Sequence, residues 1–349
     1  MSPETFASIL FGFISFSWVV YLTQELFITG SSALNRVVSS NEGERRQVQV
    51  AAGIHWDGIE VWLIASLTLT FAVFPLAFTT TLTYLYVPFF LLIFAIIGRG
   101  IAIEMIYKLD SKRWVKNTVL MWTISSILIF FILGVYISNL FLGLPIAYDS
   151  VTGVVTQEAG FMSIFNVTGI SGGLLFLSLS LIGGSGWISL STEGELGKKA
   201  FNFIKKIGII YTAPVFLMLV FMGFNNTDSS IFIGELFTKA PVLFALPAIT
   251  VLLALLTTLF AYKEDSLKTF IFSLSTMGVF LITGFIGRFP YMVASKIDPD
   301  LGIRTIDAMV SAKTMNVVLV ALCIFYPIII GYQTWKYINF TKKVKFNDE

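Results

Sequence analysis

The chain has 349 residues, 56% of them hydrophobic and 13% charged, with a formal net charge of +2 and a single histidine. That composition excludes a water-soluble domain and sets the class as an integral membrane protein. The small net charge, with no basic stripe interleaved with aromatics, argues against nucleic-acid binding, and one cysteine, Cys323, leaves no internal disulfide and no cysteine metal cluster.

About 20 apolar residues are needed to cross some 30 Å of hydrocarbon, and nine runs qualify: 5–28, 50–76, 80–106, 118–142, 160–190, 206–224, 240–262, 268–292 and 313–335. Lipid offers no partner to a free backbone group, and the runs lack the alternation of a barrel strand, so each is expected to be helical. The fold class is therefore all-α and polytopic, with about nine transmembrane helices in one transmembrane domain spanning 1–349. The first run begins directly after Met1-Ser2-Pro3-Glu4, without a basic leader or a cleavage site, and reads as a retained span.

Within the first run, Glu25 falls near one end, either as a proton entry or as an interfacial acid in water. The second run opens with His55-Trp56-Asp57-Gly58-Ile59-Glu60-Val61-Trp62. On one continuous helix Asp57 would lie roughly 16 Å beyond Arg46, and Glu60 about a turn deeper. An acid at that depth is paired, protonated or wetted, and two readings stand: a proton path, or a structural ion pair. The lone His55 reads as a relay member or a hydrogen-bonded structural group.

In the third run Arg99 lies at about the depth of Asp57, which makes a pair with Asp57 or Glu60 geometrically reasonable. Glu104 is five positions from Arg99 and turns away from it. The fifth run is glycine-rich, with Gly169, Gly172, Gly173, Gly183, Gly184 and Gly186, and reads as an interior helix that could also break or re-enter. Cys323 reads as a small packing residue. At the end of the eighth run, Arg288 reads as a snorkelling cation beside Tyr291. Tyr332, Trp335 and Tyr337 around Lys336 read as an interfacial anchor.

Lysine and arginine concentrate in 29–49, 107–117, 191–205, 263–268 and the tail, including Lys342, Lys343 and Lys345. These segments alternate with poorly basic loops at 77–79, 143–159, 225–239 and 293–312. The positive-inside rule then gives an outside amino terminus and a cytoplasmic carboxyl terminus, which requires an odd number of spans. No phosphate-cradling loop, paired-histidine metal spacing or serine or cysteine nucleophile with a histidine partner is present. One histidine could ligate at most one haem.

His55-Trp56-Asp57-Gly58 followed by Val61-Trp62-Leu63-Ile64 resembles the hallmark of subunit II of the cytochrome bd quinol oxidases. Glu44-Arg45-Arg46, Arg99 through Lys108, Gly194-Glu195-Leu196, Ala245-Leu246-Pro247-Ala248, Phe289-Pro290, Asp307, Thr314-Met315-Asn316-Val317 and the Tyr332 to Tyr337 ending follow in the family's order. The resemblance implies two four-helix bundles plus one peripheral helix, in the cytoplasmic (inner) membrane of a prokaryote. It also implies a chain without cofactor of its own, paired with a subunit I that carries haem b, haem d and the quinol site. Single-helix small subunits, membrane lipid and quinone are further expected partners. The complex would oxidise quinol and reduce oxygen, taking protons from the cytoplasm through the second-helix acid, which is Asp57 here. Proton-path candidates are thus Asp57, His55, Glu25, Glu60 and Glu104, while Arg99, Trp56, Trp62 and Asp307 are structural or ion-pairing candidates. One departure is Thr23-Gln24-Glu25-Leu26-Phe27-Ile28-Thr29-Gly30, where the family places an Asp-Gly pair and Glu25 stands one position away from the usual aspartate. Two other classes remain open: a purely structural membrane subunit, and a secondary transporter, which would show related halves that this sequence lacks.

Overall fold

The computed structural model describes residues 2–106, 108–109, 111–157, 159–224, 235–340 and 343–344. The expected loop at 225–239 falls largely outside the described residues, as do Lys342 and Lys345 of the tail. Thirteen α-helices run in order: α1 (Pro3–Val38), α2 (Glu42–Gly53), α3 (Trp56–Val73), α4 (Pro75–Tyr84), α5 (Tyr86–Ile106), α6 (Lys112–Leu142), α7 (Val167–Ser191), α8 (Glu195–Phe224), α9 (Glu235–Lys239), α10 (Ala245–Tyr262), α11 (Ser266–Arg288), α12 (Thr305–Ala308) and α13 (Ala312–Phe340). By length and composition, eight helical stretches among the described residues could cross a membrane. The expected run 206–224 is helical within α8 but is not one of the eight.

Three boundaries differ from the expectation. α1 continues ten residues past position 28, because Ser31, Ser32 and Asn35 are covered by neighbouring helices rather than by water. The run 50–76 is broken: α2 ends at Gly53, the Ile54 and His55 amides bond back to Val50 and Ala52, and α3 starts at Trp56. Glycine is a poor helix former, and it ends α2 where apolar composition alone shows no interruption. Pro75, at the end of the second run, opens the short helix α4, which takes up the start of the third, so the membrane-length helix α5 begins only at Tyr86.

Helices α1 and α7 occupy the centre, α1 against α2, α3, α6, α7 and α11, and α7 against α1, α6, α8 and α11. Their crossing is set by glycine. A Cβ on Gly30 would collide with the Ser180 carbonyl and come within 2.9 Å of the Gly184 Cα, and one on Gly184 would enter the backbone of Gly30. Small residues let two backbones touch where lipid supplies no hydrophobic drive. α7 is unbroken from Val167 to Ser191 and mostly buried, which resolves the glycine-rich run as an interior helix.

The two poorly basic loops at 143–159 and 293–312 carry small antiparallel hairpins. β1 (Ile146–Asp149) pairs with β2 (Val154–Gln157), Ile146 opposite Gln157, and β3 (Tyr291–Val293) pairs with β4 (Ile303–Arg304). They lie at the end of the bundle opposite the lysine-rich segments. Asp307 accepts from the Arg304 amide at 3.3 Å and caps α12, a structural use. Cys323 is exposed on α13 rather than packed.

Candidate functional site

Arg99 is the centre of the buried polar chemistry. It projects from α5, roughly 10 Å of helix rise short of the end at Ile106, and its side chain is 1% exposed. Nη1 donates to Glu25 Oε1 on α1, and Nη2 donates to Glu60 Oε1 on α3. The expected pairing with Glu60 is present, whereas the Arg99 bridges are to Glu25 and Glu60, not to Asp57. Glu25 is not an interfacial acid in water: it is fully buried, and Thr29 Oγ1 donates to the same Oε1 at 2.8 Å.

The cluster holds two carboxylates against one guanidinium, an excess of one acid in a low-dielectric interior. A second unpaired carboxylate there costs several kcal/mol unless it takes up a proton. Glu25 Oε2 has no hydrogen-bond partner among the described residues.

Sequence reasoning missed Ser17, Tyr21 and Thr29, which share the Glu25 face of α1. Ser17, Tyr21, Glu25 and Thr29 recur every four positions, and all four are buried. Positions four apart share a helix face, so they form a polar stripe about 18 Å long inside an apolar helix. At its far end Ser17 hydrogen-bonds Tyr326 of α13. The four-residue spacing was readable beforehand, although each residue alone is unremarkable for a membrane helix.

Asp57 sits in the first turn of α3 and is exposed, beside the break that ends α2. An acid there complements the helix dipole. Glu60 lies one turn further on the same face, with its side chain 14% exposed. From Asp57 to Glu60 to Glu25 the acids thus run from surface to interior.

His55, the residue at the break, is buried by aromatic rings. It stacks on Tyr337 of α13 with centroids 4.7 Å apart and 6° between planes, and meets Trp187 of α7 edge-on at 5.2 Å. Its Nδ1 has no hydrogen-bond partner among the described residues. Nearby, Trp187 Nε1 donates to the Ala51 carbonyl at 3.0 Å, and Gln333 Nε2 donates to the Gly58 carbonyl at 2.5 Å. The first bond holds a carbonyl freed at the break, and the second ties α13 to the first turn of α3. Tyr337 therefore packs inward, while Tyr332 and Trp335 remain exposed as the expected anchor.

Trp62 is buried edge-on to Tyr326 at 5.7 Å, and Trp56 leans over Gly100 of α5, both as packing groups. Glu104 is away from the cluster, exposed, with Lys108 Nζ at 3.6 Å. Arg288 does not snorkel beside Tyr291, whose ring instead lies under Arg304. It is 3% exposed and held over the rings of Phe11 and Phe285. Among the described residues no group of three or more histidine, cysteine or acidic side chains could hold a metal ion.

A family model for cytochrome bd terminal oxidase subunit II matches residues 6–340. The chain is 29% identical over 336 residues to the cytochrome bd ubiquinol oxidase subunit 2 of Bacillus subtilis (strain 168), covering 95% of this chain and 94% of that one. It is 26% identical over 337 residues to the cytochrome bd-I ubiquinol oxidase subunit 2 of Escherichia coli (strain K12), covering 89% and 88%. Its fold resembles a structure of bd oxidase from Geobacillus thermodenitrificans, with a TM-score of 0.75 over 97% of this chain and 100% of that one, at 14% identity. That last likeness speaks to fold alone, but the family match runs from the first span to the last, and the chain belongs to the cytochrome bd terminal oxidase subunit II family.

Proposed function

We propose that this chain is the haem-free subunit II of a quinol:oxygen oxidoreductase, braced against a haem-bearing subunit I and supplying part of the proton path to the oxygen-reducing site. It works as one transmembrane unit over 1–349, with its amino terminus outside and its carboxyl terminus in the cytoplasm. Haem b, haem d and quinol oxidation belong to the partner, with small single-helix subunits as further members of the complex. The observation that carries the proton role is the buried Glu25–Arg99–Glu60 cluster with its surplus carboxylate. Protons enter at exposed Asp57, pass to Glu60, and reach Glu25 on the polar stripe of α1. The Arg99 charge keeps one carboxylate ionised while the other takes and releases the proton.

A purely structural reading draws on the same contacts, since Arg99 ties α1, α3 and α5 together. Glu25→Gln in the assembled complex separates the two. It leaves Glu60 to neutralise Arg99, so assembly and haem content stay near normal. Under the proton reading, quinol-dependent oxygen consumption per haem d falls tenfold or more, which is at least about 1.4 kcal/mol on the barrier. Unchanged turnover in a fully assembled variant leaves the structural reading.

A further inference from the structure

Opposite the lysine-rich end, helices α1, α3, α4, α5, α6 and α11 enclose a cavity of about 100 Å³. A water site needs only ~10–15 Å³ on the same measure, so the space is sized for more than solvent. Its walls are mostly apolar side chains, with Leu63, Leu92, Ile132 and Leu133 among them; Thr70, Thr81 and Tyr136 add neutral hydroxyls, and no acidic residue lines it among the described residues. Leu67, Phe78, Leu82 and Phe89 in the wall are only half-buried, which brings one side of the cavity to the lipid-facing surface.

Arg288 lies in this wall. It is 3% exposed, and its Nε and Nη1 have no hydrogen-bond partner among the described residues. Ser15 Oγ, one turn of α1 from Phe11 under the guanidinium, is a second unpartnered polar atom lining the same space. Two aromatic faces offset part of the desolvation of a cation, but they accept no N–H bond and bring no counter-charge. A buried arginine of this kind calls for an anion. The anion must arrive with an apolar body that fills the rest of the cavity, at the level where α11 ends and headgroups begin.

We propose that the cavity is a phospholipid site in which the phosphate takes the Arg288 guanidinium, Ser15 adds a hydroxyl donor, and part of an acyl chain lies between α3, α4 and α6. A neutral amphiphile such as a quinone would supply hydrogen-bond acceptors without the charge. The site shares α1, α3 and α5 with the cluster around Arg99 but none of the cluster's residues lines it, and its test reads lipid binding rather than proton transfer.

Trp18 in the wall gives a direct probe. The intact purified complex is stripped of loosely held lipid in detergent and titrated with phosphatidylglycerol brominated on its acyl chains, and Trp18 quenching is isolated by difference against Trp18→Phe. Saturable quenching is expected with the brominated phosphatidylglycerol, at least tenfold weaker with brominated diacylglycerol. Arg288→Met should weaken it at least tenfold, and Arg288→Lys should recover part of the loss. Should Arg288→Met fail to assemble, the comparison of the two lipids on the unmodified complex decides alone. Equal quenching by the two lipids, displacement by inorganic phosphate, or quinone in place of phospholipid on mass spectrometry of the untreated complex would overturn the proposal.

Discussion

Glu25 and Arg99, on α1 and α5, form an ion pair in which each side chain is 1% exposed. Because Glu60 bonds the other guanidinium nitrogen, Arg99 is paired to two acids at once, one fully buried and one 14% exposed. Removing it is a different experiment from removing either acid. Arg99→Met leaves two carboxylates facing each other in the interior. Breaking a buried pair by deleting one partner costs about 3–5 kcal/mol, and the two acids then repel. The expected outcome is poor assembly and low haem d content, measured by absorbance per unit of membrane protein. Adding Glu25→Gln and Glu60→Gln to Arg99→Met should restore assembly without restoring oxygen consumption. A well-assembled single Arg99→Met complex would show that the cluster holds no charge.

The glycine contact between α1 and α7 sets a second expectation. Gly30→Val drives a branched side chain into the Ser180 carbonyl and the Gly184 backbone. Rigid backbone cannot give way as a flexible side chain can, so α1 and α7 must separate and carry Glu25 away from Arg99. Gly12→Ala, on the same helix with open space around its Cβ position, serves as the control. The first variant should lose nearly all detergent-stable complex on size-exclusion chromatography, and the second should match the unmodified protein.

Much of this site was legible in the sequence, and the failures share a cause. Similar depths on neighbouring helices suggested that Arg99 could meet Glu60, and α5 and α3 bring the two together. Glu25 reads as lying near a helix end because the apolar run stops at 28, whereas α1 carries its helix on past polar Ser31, Ser32 and Asn35, all of them buried. Depth counted from Arg46 misplaced Asp57, because the break at Ile54 and His55 interrupts the rise on which the estimate depended. Arg288 looked like a helix-end cation with water in reach. Burial against Phe11 and Phe285 comes from packing between α1 and α11 that no local pattern announces. Local periodicity locates elements, whereas burial of a charged side chain depends on what a distant helix places over it.

Orientation is open to direct measurement. Cys323 is exposed on α13, so it must first be replaced by serine. A cysteine introduced beside Lys198, which is exposed and paired with Glu195 at 2.8 Å, should then be shielded from an impermeant thiol reagent in intact cells. One introduced beside Asp149, at the tip of the β1–β2 hairpin, should react. The opposite labelling would reverse the assigned orientation, and equal labelling would remove the odd number of spans between the two positions.

Asp57 gives the sharpest test of where protons enter. It is exposed at the start of α3, and the Arg99 bridges run to Glu25 and Glu60 instead. Neutralising it therefore strands no buried cation, and Asp57→Asn should assemble with normal haem content. The loss of a favourable helix-dipole contact is worth about 0.3–1 kcal/mol, too little to disturb a membrane complex. If Asp57 delivers protons to Glu60 one turn away, turnover per haem d should fall by tenfold or more. The fall should resemble that of Glu60→Gln, and the double variant should be little worse than either single one, because residues acting in series on one path are not additive. If the path instead begins at Glu60, Asp57→Asn keeps wild-type turnover while Glu60→Gln does not. Quinol-dependent oxygen consumption across the three variants, normalised to haem d, distinguishes an entry at Asp57 from one that starts at the buried cluster itself.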